Sequence, residues 1–209
     1  MKYFIAAIFF AVSIQSFGQF NKGDKVLGGT LSFTTGTNEN TQYGTLTSNS
    51  ASLAISPNFG VLINSNLEIG GQLGYSSTHD EWSATNASSD RKSNYLTAGF
   101  YMRRYFVISD KFLFSLSGNI TYSEGKDKTI VTNQNVIEED ETKGQNFGFS
   151  FGPSFIFFPS PNWGLQASIG NLSYTTFKNK TTDATSDQFH INYGYVGLGI
   201  AYYFRRSVE

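Results

Sequence analysis

Residues 147–158 read FGFSFGPSFIFF. Taken at every second position, one face carries Phe147, Phe149, Phe151, Pro153, Phe155 and Phe157, and the other Gly148, Ser150, Gly152, Ser154 and Ile156. Strict period two is the mark of a strand, because successive Cβ atoms point to opposite sides of a sheet. A soluble sandwich would cover its solvent face with long polar side chains. Here the face opposite the phenylalanines is nearly all Gly and Ser, so the rings need a different surrounding.

Composition narrows the choice. The 209 residues suffice for one domain, and 15 Lys and Arg against 16 Asp and Glu leave no basic surface for nucleic acid. With no cysteine, disulfide frameworks and thiolate metal sites are excluded. Twenty Phe, 12 Tyr and 21 Gly beside only 4 Pro favour strands and tight turns. At the start, Lys2, the apolar run FIAAIFFAV and the small residues around Gly18 read as an export signal over residues 1–18, leaving a barrel domain over 19–209. No later run approaches the roughly 18 continuous apolar residues of a membrane-spanning helix. A membrane would have to be crossed by strands.

Eight alternating segments follow, at about 26–35, 50–63, 67–76, 93–107, 111–123, 145–158, 163–174 and 189–204. Short connections (NSN, ISD, PSPN) alternate strictly with long ones, of which the longest are SSTHDEWSATNASSDRK and EGKDKTIVTNQNVIEEDETKG. In an up-and-down meander this gathers the short turns at one end and the long connections at the other, as transmembrane barrels do. The segments also match the 9–11 residues or so that a tilted strand needs to cross the hydrocarbon. Each backbone group must be paired within lipid, so such a sheet has to close on itself. The Phe face then meets lipid, and the Gly/Ser face leaves room in a lumen that eight strands must fill with their own side chains. The expected fold is all-β: an eight-stranded antiparallel up-and-down transmembrane β-barrel with short periplasmic turns and long extracellular loops.

Inward positions on the third and fourth segments bring Glu68, Gln72, Tyr101, Arg103 and Tyr105 into the lumen, where a Glu68–Arg103 ion pair is the expected centre of a polar network. Outward aromatics gather near strand ends: Tyr75, Tyr122 and Phe147 toward the long connections, and Phe106, Phe112, Trp163 and Phe204 toward the short turns. Arg104, of opposite parity to Arg103, is expected to snorkel at the interface. Pro153 and Pro57 each remove a ladder donor, so a bulge or bend is expected at them.

The signal, the eight segments, AGFYMRRYF, ISDKFLFSLSGNITY, FGFSFGPSFIFF and the closing GYVGLGIAYYF resemble the small outer-membrane β-barrel proteins of Gram-negative bacteria, of the OmpX and OmpA-transmembrane-domain type. The resemblance implies residence in a Gram-negative outer membrane as a monomer among lipid and lipopolysaccharide. It also implies that Val196, Leu198, Ile200, Tyr202 and Phe204 form the C-terminal signal read by the barrel-assembly machinery. Here five further residues, RRSVE, follow the terminal aromatic. The family's members differ mainly in their loops, so it implies a structural or surface-interaction role rather than a particular activity.

Three other functions compete with that role. A narrow pore needs an open lumen, and channels wide enough for solutes generally use many more strands. A lipid-modifying enzyme could draw on Ser76, Ser77, His79, Asp80 and Glu81, but neighbours on an extended chain point in different directions. A lipocalin-like ligand carrier would put its rings inside and charges outside, which the Gly/Ser faces oppose. The acidic run Glu138–Glu141 has no EF-hand spacing. No catalytic, cofactor or metal site is therefore assigned. Within the longest spacer TIVTNQNVI alternates, which allows an exposed ribbon, though a mobile loop is the favoured reading there.

Overall fold

A computed structural model describes residues 20–40, 46–84, 86–133 and 136–205. The expected signal segment and the last four residues of the tail lie outside them.

Eight strands account for almost all of this: β1 (Lys25–Asn40), β2 (Leu46–Asn64), β3 (Leu67–Ala84), β4 (Ala87–Ser109), β5 (Phe112–Asn133), β6 (Val136–Ser160), β7 (Trp163–Asn179) and β8 (Thr185–Phe204). Each pairs antiparallel with the next, and β8 returns to β1, so the ring closes. Two-residue turns join β2 to β3, β4 to β5 and β6 to β7. In the first, the Asn66 amide donates to Asn64 Oδ1 at 2.9 Å, the local side-chain capture that makes Asn a turn residue.

The strands run far past the expected segments. Pairing in the β3–β4 hairpin continues to Ala84↔Ala87, and in β5–β6 to Asn133↔Val136. The two longest spacers are thus ribbon rather than loop, and the favoured reading of 123–144 as a mobile loop is corrected. These extensions are mostly polar, with Trp82, Ile130, Val131, Val136 and Ile137 as exceptions near the tips, so the continuous lipid-facing alternation that marks the lower strands is missing there. β1 and β8, by contrast, pair only between Lys25–Thr30 and Gly199–Phe204.

Outward positions carry the rings and branched side chains. Leu31, Phe33, Leu73, Leu96, Phe100, Phe149, Leu165 and Leu198 are all exposed. Together they make an apolar belt well beyond the roughly 300–600 Å² of the largest patch on a soluble monomer, so lipid is its solvent. The proline expectations resolve differently. At Pro153 the β6–β7 register jumps from Phe151↔Leu172 to Ser154↔Ser168, opposite Gly170 at φ 71°. At Pro57 the β2–β3 ladder skips from Ile55↔Tyr75 to Asn58↔Gln72 without losing register, while Gly29↔Pro57 holds on the other side.

Candidate functional site: the closed lumen and the ribbon crown

At the turn end the inward side chains meet and fill the barrel. Val26, Leu62, Tyr105, Leu113, Ile156, Phe158, Ala201 and Tyr203 form a buried cluster, completed by Phe20 from the segment before β1. The Phe20 ring stacks on Tyr203 with centroids 5.1 Å apart and an interplanar angle of 13°. It lies 5.0 Å from Tyr105 and 6.0 Å from Phe158. Backbone bonds hold the segment under the barrel: the Gly23 amide donates to the Leu62 carbonyl at 2.7 Å, and the Leu62 amide to the Asp24 carbonyl at 2.9 Å. The Arg205 guanidinium sits 5.3 Å from the centroids of both Phe20 and Phe158. The tail thus folds beneath the plug at its first residue.

Directly above lies the polar layer. Glu68 is fully buried, and its carboxylate accepts hydrogen bonds from the hydroxyls of Tyr101 and Tyr105. Arg103 Nη1 approaches Glu68 Oε2 at 3.8 Å, Arg103 Nε donates to Ser117 Oγ at 3.1 Å, and the guanidinium lies 5.4 Å from the Tyr101 ring centroid. Removing two charges from water costs several kcal/mol each, which only their attraction and added hydrogen bonds offset. Here Glu68 has two hydroxyl donors and an arginine, so the layer is self-neutralising. The sequence pattern places Glu68, Tyr101, Arg103 and Tyr105 in this layer, and the structure brings all four together. Gln72 is apart from them, lining the space above.

The room for this network comes from an unexpected side. A Cβ on Gly60 would stand 2.2 Å from Glu68 Oε1 and 2.5 Å from the Tyr101 hydroxyl, and one on Gly70 would stand 2.6 Å from the same hydroxyl. It is therefore glycines of β2 and β3 that admit the Tyr101–Glu68 pair. The Gly/Ser face of β6 instead borders a polar cavity of about 260 Å³ above the layer, shared with Asn58, Gln72, Arg103, Asn119, Gln166 and Asn171. That volume holds several waters. Within it Gln166 donates to Ser154 and Ser168, and Asn119 to Ser150.

The outward aromatics fall at two levels. Near the turns, Phe112 packs on Phe157 at 4.9 Å, Phe106 on Phe114 at 5.8 Å, and Trp163 on Tyr202, itself 4.8 Å from Phe204. The Arg104 guanidinium lies 5.4 Å from the Phe106 ring centroid. Toward the ribbons, the Tyr75 hydroxyl donates to Asn94 Oδ1 at 2.9 Å, Gln145 donates to the Tyr122 hydroxyl, and Phe147 is exposed beside them. Val196, Leu198, Ile200, Tyr202 and Phe204 share the outward face of β8.

Beyond that level the ribbons are held by charge. Lys126 pairs with Glu141 at 2.9 Å and Lys128 with Glu139 at 2.7 Å, so two of the four acids of the run Glu138–Glu141 are already engaged across the hairpin. Lys180 reaches Glu124 at 2.7 Å, and its hydrogen bond and then its charge hold that carboxyl below the usual range. On the inward face, the half-buried Asp127 accepts from Ser93 at 2.5 Å, Tyr95 at 2.6 Å and Arg91 at 3.3 Å. Burial alone would raise the Asp127 carboxyl, but these donors together outweigh it and lower it. His190 faces Gln188 at 3.1 Å on an exposed part of β8.

Sequence reasoning missed the plug. Tyr203 was legible as the inward neighbour of Tyr202, but Phe20 sits alone beside the expected cleavage point, and nothing in its immediate sequence says that it turns back into the barrel.

A closed ring of eight strands with an apolar exterior and a polar, plugged interior defines an integral membrane β-barrel. The chain belongs to the family described as outer membrane protein beta-barrel domain, whose profile matches residues 4–204. That membership places it in an outer membrane. Its fold is similar to the attachment invasion locus protein Ail of Yersinia pestis, at 17% identity and a TM-score of 0.42 over 88% of this chain and 99% of that one. Weaker likeness extends to the ferric citrate transporter FecA, at 10% identity and TM-score 0.32 over 85% of this chain and 42% of that one. The translocator domain of the autotransporter NalP from Neisseria meningitidis gives 10% and 0.26 over 94% and 92%. Among curated protein sequences none matches.

Proposed function

We propose that this is an exported, monomeric, non-catalytic barrel of a Gram-negative outer membrane, which directs its turns to the periplasm and its ribbons outward to meet lipopolysaccharide, other cells or other molecules. The observation that carries this reading is the contrast between a lumen sealed at the turn end by Phe20, Tyr105, Phe158 and Tyr203 and a sheet prolonged at the other end as far as Asn133↔Val136. A sealed base opposes conduction, and strands much longer than the 9–11 residues a membrane needs are material for contact. The outward face of β8 from Val196 to Phe204 supplies the assembly signal in this reading, and no cofactor is required.

The test uses the mature chain folded in detergent and a variant whose residues 127–142 are replaced by an Asn-Gly turn. Heat-modifiable gel migration of both, no steady conductance in planar bilayers, and loss of binding to lipopolysaccharide or to cells only in the trimmed variant would support the role. Discrete conductance steps would instead establish a pore, and equal binding by both proteins would remove the ribbon from the function.

A further inference from the structure

On the outward face of the β3–β4 ribbon four side chains occupy the corners of a square: His79 opposite Lys92 and Glu81 opposite Asp90. His79 Nε2 lies 3.0 Å from Asp90 Oδ1 and 3.1 Å from Glu81 Oε1, and the three donor atoms all lie within 4.8 Å of one another. We infer that His79, Glu81 and Asp90 form a binding site for a divalent transition ion of the zinc type.

The first argument is geometric. A tetrahedral ion with nitrogen and oxygen ligands at about 2.0–2.1 Å holds its donors roughly 3.3 Å apart. The two contacts of His79 Nε2 need to open by only a few tenths of an ångström to admit one. All three ligands stand on paired strands, so no loop has to be ordered when the ion arrives, which lowers the entropic cost of binding.

A second argument comes from the proton count. Two carboxylate oxygens converge on one ring nitrogen, and a single N–H can point at only one of them. An ion in place of that proton would satisfy the imidazole lone pair and both oxygens at once. On the fourth corner Lys92 Nζ sits 3.5 Å from Asp90 Oδ2, holding that carboxylate with Oδ1 turned toward His79. Its charge opposes the ion, as does that of Lys128 on the next strand, whose partner across the β5–β6 hairpin is Glu139. Asp80, adjacent in sequence, is not part of the set: it faces the other side of the ribbon and accepts from Ser50 at 2.5 Å.

Donor chemistry selects the ion. Calcium asks for six to eight oxygen ligands, which three side chains cannot supply. Imidazole with two carboxylates suits zinc and its neighbours, and leaves the remaining coordination position to water.

Zinc chloride titrated into the tag-free, detergent-folded protein, followed by competition with a chromophoric chelator, tests the site. One zinc ion per chain is expected, bound about tenfold or more weakly in His79→Ala and in Asp90→Asn. Binding should be unchanged in His190→Ala and tighter in Lys92→Ala. Heat-modifiable migration of each variant checks that the barrel is intact, since the site is exposed and outside the core. Zinc binding indistinguishable between the wild type and His79→Ala overturns the site, as does displacement of zinc by an equal concentration of calcium.

Discussion

The base of the barrel and its ribbon crown are built from the same hairpins but held by different forces. At the base, Phe20, Tyr105 and Tyr203 are almost wholly enclosed, and the Glu68–Arg103 pair sits among tyrosines away from solvent. In the crown, the paired charges Lys126–Glu141, Lys128–Glu139 and Lys180–Glu124 are all substantially exposed. Buried groups depend strictly on their partners, whereas exposed ion pairs in high dielectric typically contribute little. The difference teaches that one continuous sheet can have a base held by buried, mutually dependent groups and a crown held by exposed pairs that each contribute little.

The largest break in that comparison should come from Glu68→Ala. It strands Arg103 and two tyrosine hydroxyls in the base, and a loss of about 3–5 kcal/mol is expected in denaturant unfolding of the vesicle-folded barrel. Replacing both charges, as Glu68→Leu with Arg103→Met, should recover most of that loss; failure to recover would mean that the charges themselves set the packing. Phe20→Ala comes next, at about 3 kcal/mol for a ring lost from a packed cluster. A milder effect is expected from Asp127→Asn, with faster amide exchange in the ribbon and no shift in the barrel's midpoint.

Acid gives the same contrast without mutation. Because the Asp127 carboxyl is lowered in the folded ribbon, the stability it lends is present above the unfolded value of about 3.9 and is lost as pH falls through the lower folded value. The protection of ribbon amides, taken relative to their intrinsic exchange at the same pH, should therefore fall below about pH 4 while gel migration still reports a folded barrel. Smallest of all, Lys128→Ala should leave the unfolding midpoint within error, because its pair with Glu139 is exposed; a clear shift would show that the crown supports the base.

How much could be read in advance follows from where a pattern is local. Phe147 to Phe157 declare their face within a dozen residues, and the turns NSN, ISD and PSPN declare the hairpins, so ring order and lipid face were legible. Glu68 and Arg103 could be paired because a hairpin of known parity connects them. Residues 78–92 carried no such signal, since they are almost wholly polar, and in 124–143 alternation is confined to the short stretch TIVTNQNVI, which allows a ribbon without requiring one. The glycines that admit Tyr101 lie on β2 and β3, whereas the Gly/Ser face of β6 opens on the cavity above, and neither was legible for a related reason. Parity says that a residue points inward, not which inward residue it meets.

The sequence by itself determined that the chain crosses the membrane as strands, that it does so in an eight-strand meander, and which side chains face lipid, because period two is a property of consecutive residues. Only the tertiary structure decided that Phe20 closes the base, that Gly60 and Gly70 admit the Tyr101–Glu68 pair, and that His79 and Glu81 are joined by Asp90 rather than by Asp80. These are cross-strand facts. They depend on register, and a slip of a single residue would send each of those side chains to the opposite face of the sheet.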